Sequence, residues 1–270
     1  MNKLLLGRGY AALLAGAQKA YPSVHYDHKG YAPSWKENLM KGLPLAEIEI
    51  DFGAGAGHEL DSKLCAAHSS AALAVNTFGP WRKDPASLKL GGSSGFRSMR
   101  FEAVCSTGLG GTPPHLDLLA EGDLPVAVES KCTEWFQAKP AEFSGSYDRL
   151  QPSIGDSPWY DEMLQLRSAP RRYQFLDAAQ LVKHAFGLLT RYGGREVRLV
   201  YLYWEPRNAD TWSECRQHRT ESDDLATKVQ KSPVRLIPMS YRDLWAEWES
   251  KGSSDHLRYL RTRYDVMVED

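Results

Sequence analysis

The stretch PHLDLLAEGDLPVAVESK, residues 114–131, is the part of the sequence on which the fold prediction rests. Apolar residues dominate 116–119 and again 126–128, and the pair Gly122-Asp123 between these two runs is a turn signal. Short apolar runs on either side of a tight turn are typical of a β-hairpin. We therefore predict two antiparallel strands here.

The predicted hairpin carries charged residues within its apolar strands. Asp117 and Glu129 each lie six residues from Asp123, so pairing centred on Asp123 would bring the two carboxylates side by side. Successive strand residues alternate between faces, so Glu129 and Lys131 point the same way. Two carboxylates and an ammonium on one face of a sheet are costly, unless a divalent cation lies between the acids.

The composition limits the class of protein. The chain has 270 residues, of which 42% are hydrophobic and 25% charged, as in a globular protein with a buried core. The net charge of -1 gives no overall basic field, so a nucleic-acid surface must be a local patch. The absence of a transmembrane-length apolar run and of a signal-peptide core predicts a cytoplasmic protein that makes no membrane contact. The four cysteines lack CxxC spacing, which favours reduced, packed thiols.

The rest of the chain contains both helical and strand patterns. Apolar residues at three- and four-residue steps predict helices, and alternating or continuous apolar runs predict strands. The region 133–170 is irregular, as functional or partly helical loops are, and 208–232 predicts a short helix with a loop. The predicted helices are 4–20, 35–41, 58–78, 173–192, 241–250 and 255–264, and the further predicted strands are 96–106, 196–203 and 234–239. This order predicts a mixed α/β fold in a single domain, 1–270.

The predicted helix 58–78 follows a glycine-rich loop. The loop reads G-x-G-x-G over 53–57 and lacks the third glycine of a dinucleotide fingerprint, which favours a flexible segment over a nucleotide site. Glu59, in the first helical turn, is either an acid stabilised by the helix dipole or a third carboxylate above the hairpin. For the polar Ser69 and Asn76, a backbone or solvent role is favoured over substrate binding.

The predicted helix 173–192 carries polar residues on a second face. Gln180, Lys183 and His184 lie together there at helical spacing, either as a solvated face or as part of a site. Arg171 and Arg172 precede them, where clustered arginines suit phosphate contacts about as well as a charged, solvated turn. The candidate nucleic-acid contacts are therefore Lys183, His184 and these two arginines.

Asp117, Glu129 and Lys131 suit the hydrolysis of a phosphodiester. This reaction needs neutralised phosphoryl oxygens, an activated water and a stabilised leaving oxygen. Carboxylates bind Mg²⁺ or Mn²⁺ because these hard cations prefer oxygen ligands, whereas a softer metal would call for Cys or His. A lysine beside the metal can orient or help deprotonate the water, and it adds positive charge to the transition state. Glu59 would complete this set.

Two segments of the hairpin resemble the motif of the PD-(D/E)XK nuclease superfamily. They are His115-Leu116-Asp117 and, twelve residues after Asp117, Glu129-Ser130-Lys131. The resemblance implies a restriction-endonuclease-like αβββαβ core over about 56–205. It also implies an N-terminal helical extension, 1–50, and a C-terminal strand with helices, 206–270. His115 stands where the motif's proline is expected, at a position that varies in the superfamily.

The resemblance also implies roles for individual residues. Asp117 and Glu129 would bind the divalent metal, and Lys131 would be the catalytic lysine. Glu59 matches the acid that many members carry on the first core helix, as a further catalytic and metal-binding residue. Gln180 is similar to the first residue of the Gln-x-x-x-Tyr feature of some members. Histidine replaces the tyrosine four residues later, so the role of that position stays open.

These observations predict a nuclease that depends on Mg²⁺ or Mn²⁺, with DNA as the favoured nucleic-acid substrate. The alternative is a catalytically inactive nucleic-acid-binding or structural protein with the same fold, against which the intact Asp117, Glu129 and Lys131 argue. A third hypothesis is a nucleotide-binding enzyme that uses the glycine loop, against which the missing glycine argues. The sequence leaves the oligomeric state open, a homodimer included.

Overall fold

The structure is a computed structural model that describes residues 3–53, 60, 62–137, 139–250, 252 and 254–269. Within these residues the chain forms nine α-helices and five β-strands. The helices are α1 (Lys3–Ala20), α2 (Leu45–Gly53), α3 (Ser70–Phe78), α4 (Gln151–Ile154), α5 (Pro158–Ser168), α6 (Ala178–Tyr192), α7 (Ser213–Val229), α8 (Tyr241–Glu249) and α9 (Asp255–Tyr264). The strands are β1 (Ser98–Val104), β2 (His115–Glu121), β3 (Val126–Lys131), β4 (Val197–Tyr203) and β5 (Val234–Ser240).

The five strands form one mixed sheet in the order β1-β2-β3-β4-β5. β2 pairs antiparallel with both β1 and β3, whereas β3-β4 and β4-β5 pair parallel. Parallel neighbours need crossover connections, and these contain α4, α5 and α6 between β3 and β4 and α7 between β4 and β5. The central strand β3 is buried along almost its whole length, as expected for a strand covered on both faces. The predicted mixed α/β class is confirmed.

The hairpin pairs in the register that the sequence predicts. Leu118 lies opposite Val128, and Ala120 lies opposite Val126, so the pairing is centred on Asp123. One step further from the turn, the same register brings residue 117 opposite residue 129. The two carboxylates of the hairpin therefore share one face of the sheet.

Helices cover both faces of the sheet. Ser130 follows Glu129 in β3 and points to the opposite face. Its hydroxyl donates to Ser70 O of α3 (3.2 Å) and shares a hydrogen bond with Tyr241 OH of α8 (2.7 Å). On the carboxylate face, α6 places His184 Nε2 2.7 Å from Glu129 Oε2. The carboxylates of the hairpin thus lie between the sheet and α6.

α6 begins and ends at residues with clear capping geometry. The side chain of Asp177 accepts a hydrogen bond from Gln180 N (3.1 Å) at the N-cap. Gly193 ends the helix in the left-handed conformation, with φ 55°. The helix starts later than predicted because the backbone N–H groups of 174–176 donate to the Glu221 carboxylate of α7 instead.

The predicted helix 58–78 is wrong over 62–69. α3 begins after Ser69, whose hydroxyl caps the helix by accepting a backbone N–H of the first turn (3.0 Å). This is the backbone role predicted for Ser69. Upstream of it, Ala66 forms a β-bridge with Tyr31. Tertiary pairing thus overrides an apolar pattern with helical period.

Two further helix predictions differ from the structure. The segment 208–232 contains the 17-residue helix α7 rather than a short helix with a loop. Its buried positions include His218, Ser222 and Leu225 at helical spacing, and because two of these are polar the apolar stripe is faint. The segment 35–41 forms turns rather than a helix.

The remaining predictions about local structure concern the cysteines, membrane-spanning segments and the irregular region. All four cysteines are free and buried, as their spacing predicts. The region 133–170 contains α4 and α5 and is therefore partly helical. Among the described helices, none combines the length and the apolar character needed to span a membrane.

Candidate active site

A cleft of about 610 Å³ opens at the end of the hairpin where β2 begins and β3 ends. Its walls come from these two strands, from the first half of α6 and from the segment that leads into α3. Six of the residues predicted from the sequence to form the site line this cleft, and they are Asp117, Glu129, Lys131, Gln180, Lys183 and His184. The fold therefore brings together residues from three elements.

Asp117 and Glu129 form the acidic part of the cleft. Asp117 Oδ2 accepts a hydrogen bond from Ser130 N (2.7 Å), which ties the carboxylate of β2 to β3. Glu129 is 1% exposed, and its Oε1 lies 2.7 Å from Lys131 Nζ. Its Oε2 has no hydrogen bond within the described residues. The imidazole of His184 lies against this oxygen, with Nε2 at 2.7 Å.

Lys131 is held between β3 and α6. Its Nζ donates to Gln180 Oε1 and contacts Glu129 Oε1, both at 2.7 Å. Burial alone would lower the pKa of Lys131, but Glu129, Glu134 and Asp117 outweigh it and raise the pKa above the usual range. The side chain is thus a fixed ammonium that supplies positive charge and donates hydrogen bonds, rather than a base.

The two carboxylates differ in pKa because their neighbours differ. Burial, followed by the negative charges of Glu129 and Glu102, raises the pKa of Asp117 well above its usual value. Burial would also raise the pKa of Glu129, but the nearby Lys131 and His184 lower it to about 2. Glu129 is therefore the permanently ionised acid of the pair. A cation between the two would favour the charged form of both.

His184 lies against Glu129 rather than on a solvated helix face. It is 1% exposed, and its Nε2 lies 2.7 Å from Glu129 Oε2, although the two groups are not aligned for a hydrogen bond. Gln180 is one helical turn earlier, so α6 directs Gln180 to Lys131 and His184 to Glu129. The proximity of Gln180 and His184 to the hairpin acids was predicted from the family resemblance alone, since no local sequence pattern indicates it.

Glu102 is an acid of the cleft that the sequence analysis did not single out. One residue beyond the Phe101–Leu118 pair, the β1-β2 register places Glu102 opposite Asp117. Glu102, Asp117 and Glu129 thus follow one another across three adjacent strands. Glu102 also has φ 47°, the positive φ of a strained non-glycine residue, as is often found at functional sites. The alternation of strand 96–106, combined with the hairpin register, could have identified it.

The other predicted site residues lie in different places. Lys183 lines the cleft beside the acids. Arg172 pairs with Glu162 (3.2 Å), and neither Arg172 nor Arg171 lines the cleft. Glu59 lies outside the described residues, so its role as a third carboxylate remains a prediction.

The donor atoms of the cleft fit Mg²⁺ or Mn²⁺. No three or more His, Cys, Asp or Glu side chains in the described part of the chain form a group that could hold a metal ion. Mg²⁺ needs no such group, because it keeps several waters and binds through one or two carboxylates together with substrate phosphates. Asp117 and Glu129 provide two carboxylates of this kind beside an open cleft.

Comparison with known protein families adds independent evidence. A family model described as "Restriction Endonuclease associating with ARP" matches residues 13–265. The match includes all five strands and every cleft residue discussed above. The chain belongs to this family. No curated protein and no solved structure matches the chain.

Membership of a restriction endonuclease family agrees with the superfamily that the hairpin resembles. The family match is consistent with the restriction-endonuclease-like superfamily and so confirms the resemblance stated from the sequence. It also indicates nuclease activity. The family description names neither a metal nor catalytic residues. The assignment of a metal and of catalytic residues therefore rests on the geometry of the cleft.

Proposed function

We propose that the chain is a divalent-metal-dependent nuclease that hydrolyses phosphodiester bonds in DNA. The observation that carries the proposal is the convergence of Asp117, Glu129 and Lys131 on one cleft, with Lys131 held by Gln180 (2.7 Å). A purely structural role would not explain like-charged carboxylates that face each other beside an open cleft. Membership of a restriction endonuclease family supports the same function.

The order of elements supports a PD-(D/E)XK core. In this assignment α3, β1, β2, β3, α6 and β4 are the αβββαβ elements, and α4 and α5 are an insertion before α6. Asp117 then stands on the second core strand, and Glu129 and Lys131 stand at the end of the third. α1 and α2 would be the N-terminal addition, and α7, β5, α8 and α9 the C-terminal one.

The residues of the cleft would divide the work of phosphodiester hydrolysis. Asp117 and Glu129 would hold Mg²⁺ or Mn²⁺, which neutralises charge on phosphoryl oxygens and makes water more acidic. Lys131 stays protonated and donates from a fixed position, so it orients the attacking water and stabilises developing negative charge. Gln180 Oε1 keeps the ammonium in place by accepting a hydrogen bond from it, and Ser130 N fixes the Asp117 carboxylate by donating one.

The proposal includes two kinds of partner. DNA is the substrate, and Lys183 on the cleft wall offers a cation to its phosphates. The family is described as associating with ARP, and we extend that association to this chain. Co-purification of the chain with an ARP partner from the same cell would test this second part.

A nuclease assay tests the proposed activity. Plasmid, linear duplex and single-stranded DNA, and RNA, are incubated with the full chain in Mg²⁺, Mn²⁺ or EDTA. We expect cleavage with either metal and none in EDTA. Asp117→Asn and Lys131→Ala should each lower the rate about 10²- to 10⁴-fold, because each removes a charge that acts on the transition state.

Asp123→Asn is the matched control for this assay. Asp123 lies at the turn of the same hairpin, its side chain is 100% exposed, and it pairs with Arg97. This variant should cleave at the wild-type rate. Undiminished cleavage by Asp117→Asn would refute the site assignment. Nucleic-acid binding without cleavage under any condition would favour the inactive binding protein instead.

A further inference from the structure

Three of the aromatic side chains that line the same cleft as the carboxylates contact one another and have no part in the proposed hydrolysis. They are Tyr10 of α1, Tyr31 and His68, and together we call them the aromatic wall. The rings of Tyr10 and His68 stack with centroids 3.8 Å apart and an interplanar angle of 22°. Tyr31 meets His68 edge-on, with centroids 6.1 Å apart at 90°.

The backbone holds the Tyr31 side of the aromatic wall in place. Asp27 Oδ1 accepts the backbone N–H groups of Lys29 (2.8 Å) and Tyr31 (2.9 Å), which closes a tight turn. Tyr31 then forms a β-bridge with Ala66, two residues before His68. The two segments that carry Tyr31 and His68 are therefore joined directly to each other.

The aromatic wall is also tied to the strand that carries the catalytic residues. His68 precedes Ser69, the N-cap of α3, and the next carbonyl, Ser70 O, accepts the hydroxyl of Ser130 (3.2 Å). Ser130 stands between Glu129 and Lys131 in β3. A hydrogen bond two residues after His68 thus ties the segment that carries part of the aromatic wall to β3.

The aromatic wall presents one ring to solvent and supports it with two others. Tyr31 is 37% exposed, a large exposure for an aromatic side chain inside a cleft. Tyr10 and His68 are half-buried. Burial lowers the pKa of His68, so its ring is uncharged at neutral pH and packs as an aromatic group. An exposed, supported ring in a nuclease-type cleft is suited to stacking.

We propose that the aromatic wall binds an unpaired nucleobase next to the scissile phosphate, so that the substrate class is single-stranded or locally opened nucleic acid. This inference rests on the proposed nuclease function and adds a substrate class to it. Stacking on an aromatic ring accepts any base, because every base has a π-face. A closed duplex keeps its bases stacked inside and offers the aromatic wall only its backbone. Lys183, in the same cleft, suits the phosphates of such a strand.

Equilibrium binding by fluorescence anisotropy tests this proposal. The full chain carries Asp117→Asn so that the probes stay intact. The probes are a labelled single DNA strand, its duplex, an RNA strand of the same sequence and an abasic DNA strand of the same length. We expect a single strand to bind more tightly than the duplex, and the preferred strand identifies DNA or RNA. Tyr31→Ala should weaken that binding roughly 5- to 150-fold, the effect of losing one stacked base.

Two controls make the binding test specific. Tyr31→Phe keeps the ring and should bind as tightly as the parent chain. On the abasic strand, Tyr31→Ala should change binding less than about twofold, because no base is present to stack. Parent-like binding of the normal strand by Tyr31→Ala would overturn the proposal, as would an equal loss on the normal and abasic strands. Thermal unfolding confirms that each variant is folded.

Cleavage by the chain with Asp117 intact separates this inference from the proposed function. Equal metal-dependent cleavage of duplex and single strands, unaffected by Tyr31→Ala, would overturn the base site and leave the nuclease function standing. Base-dependent binding without any cleavage would overturn the nuclease function and support the base site. Faster cleavage of single strands, slowed by Tyr31→Ala but not by Tyr31→Phe, would support both.

Discussion

The carboxylates of the cleft and a second cluster, around Arg263, both bury a charged side chain almost completely. Glu129 is 1% exposed, and Arg263 is 0% exposed. The guanidinium of Arg263 donates to Tyr259 OH (2.9 Å) and to Asn38 Oδ1, and it lies over the ring of Tyr264, 5.0 Å from its centroid. Both terminal nitrogens of Arg263 thus have partners inside the protein.

The two clusters differ in the charge of their partners: Arg263 Nε has no hydrogen bond within the described residues, but both terminal nitrogens donate to neutral oxygens. Asn38 in turn donates to two backbone carbonyls of 64–66, at 2.6 and 2.9 Å, so the Arg263 cluster joins three separate segments of the chain. In the cleft, Glu129 faces Asp117 with a like charge, although His184 Nε2 lies 2.7 Å from its Oε2. Buried polar groups that meet neutral partners stabilise the fold. Two carboxylates facing each other beside a cleft destabilise it and indicate a cation that neutralises them.

The largest effect on stability is expected from breaking the Arg263 cluster. Arg263→Met should lower the free energy of unfolding by about 3–5 kcal/mol, because it removes the buried donor to Tyr259 OH and leaves Asn38 Oδ1 with the Tyr26 hydroxyl alone. Urea unfolding measures this change. Arg258→Met on the same helix is the control, since the Arg258 side chain is 73% exposed, and it should change little. Similar, small losses in both variants would contradict the structural role of Arg263.

The second largest effect on stability is expected from adding the divalent metal that the cleft is proposed to bind. A ligand that binds only the folded chain adds about 2.7 kcal/mol of stability at one hundred times its dissociation constant. Saturating Mg²⁺ or Mn²⁺ should therefore raise the Tm of the wild type relative to EDTA. Asp117→Asn should remove this increase, whereas Arg258→Met should retain it. An equal increase in Asp117→Asn would show that the ions bind elsewhere.

Without metal, removing one charge from the cleft should stabilise the fold. The pKa of Asp117 is raised in the folded chain, first by burial and then by Glu129. The wild type therefore loses stability as the pH rises from about 4, the unfolded pKa of an aspartate, towards the raised folded pKa. In EDTA, Asp117→Asn should raise the free energy of unfolding by about 1 kcal/mol near pH 8 and very little near pH 4.

Urea titrations at the two pH values measure this difference. The asparagine can still accept the hydrogen bond that Ser130 N donates to Asp117, so the backbone contact is preserved. Asp123→Asn, on the exposed turn, should change stability at neither pH. A loss of stability near pH 8 in Asp117→Asn would mean that Asp117 has a structural role like that of Arg263.

The sequence predicted the cleft better than it predicted the Arg263 cluster, for a physical reason. The hairpin register follows from local signals, since the turn at Asp123 and the two-residue strand period together place its acids. The late start of α3 depends on the bridge between Tyr31 and Ala66, which are distant in sequence. Arg263 lies on a helix that the sequence did predict, but no local pattern indicates that it is buried. Arg263 is buried because residues distant in sequence, such as Asn38, pack around it.

The smallest predicted effect concerns Glu102, which extends the acidic row of the cleft by one strand. Its position opposite residue 117 adds negative charge near a bound cation, without making it one of the two proposed ligands. Glu102→Gln should therefore weaken Mn²⁺ binding only about three- to tenfold, whereas Asp117→Asn should abolish it. Calorimetry with Mn²⁺ measures both. Glu121→Gln is the control, because Glu121 lies at the far end of β2 and pairs with Arg191 (2.7 Å). If Glu102→Gln binds Mn²⁺ as tightly as the wild type, only the acids of the hairpin contribute to metal binding. The strained φ of Glu102 would then have no role in metal binding.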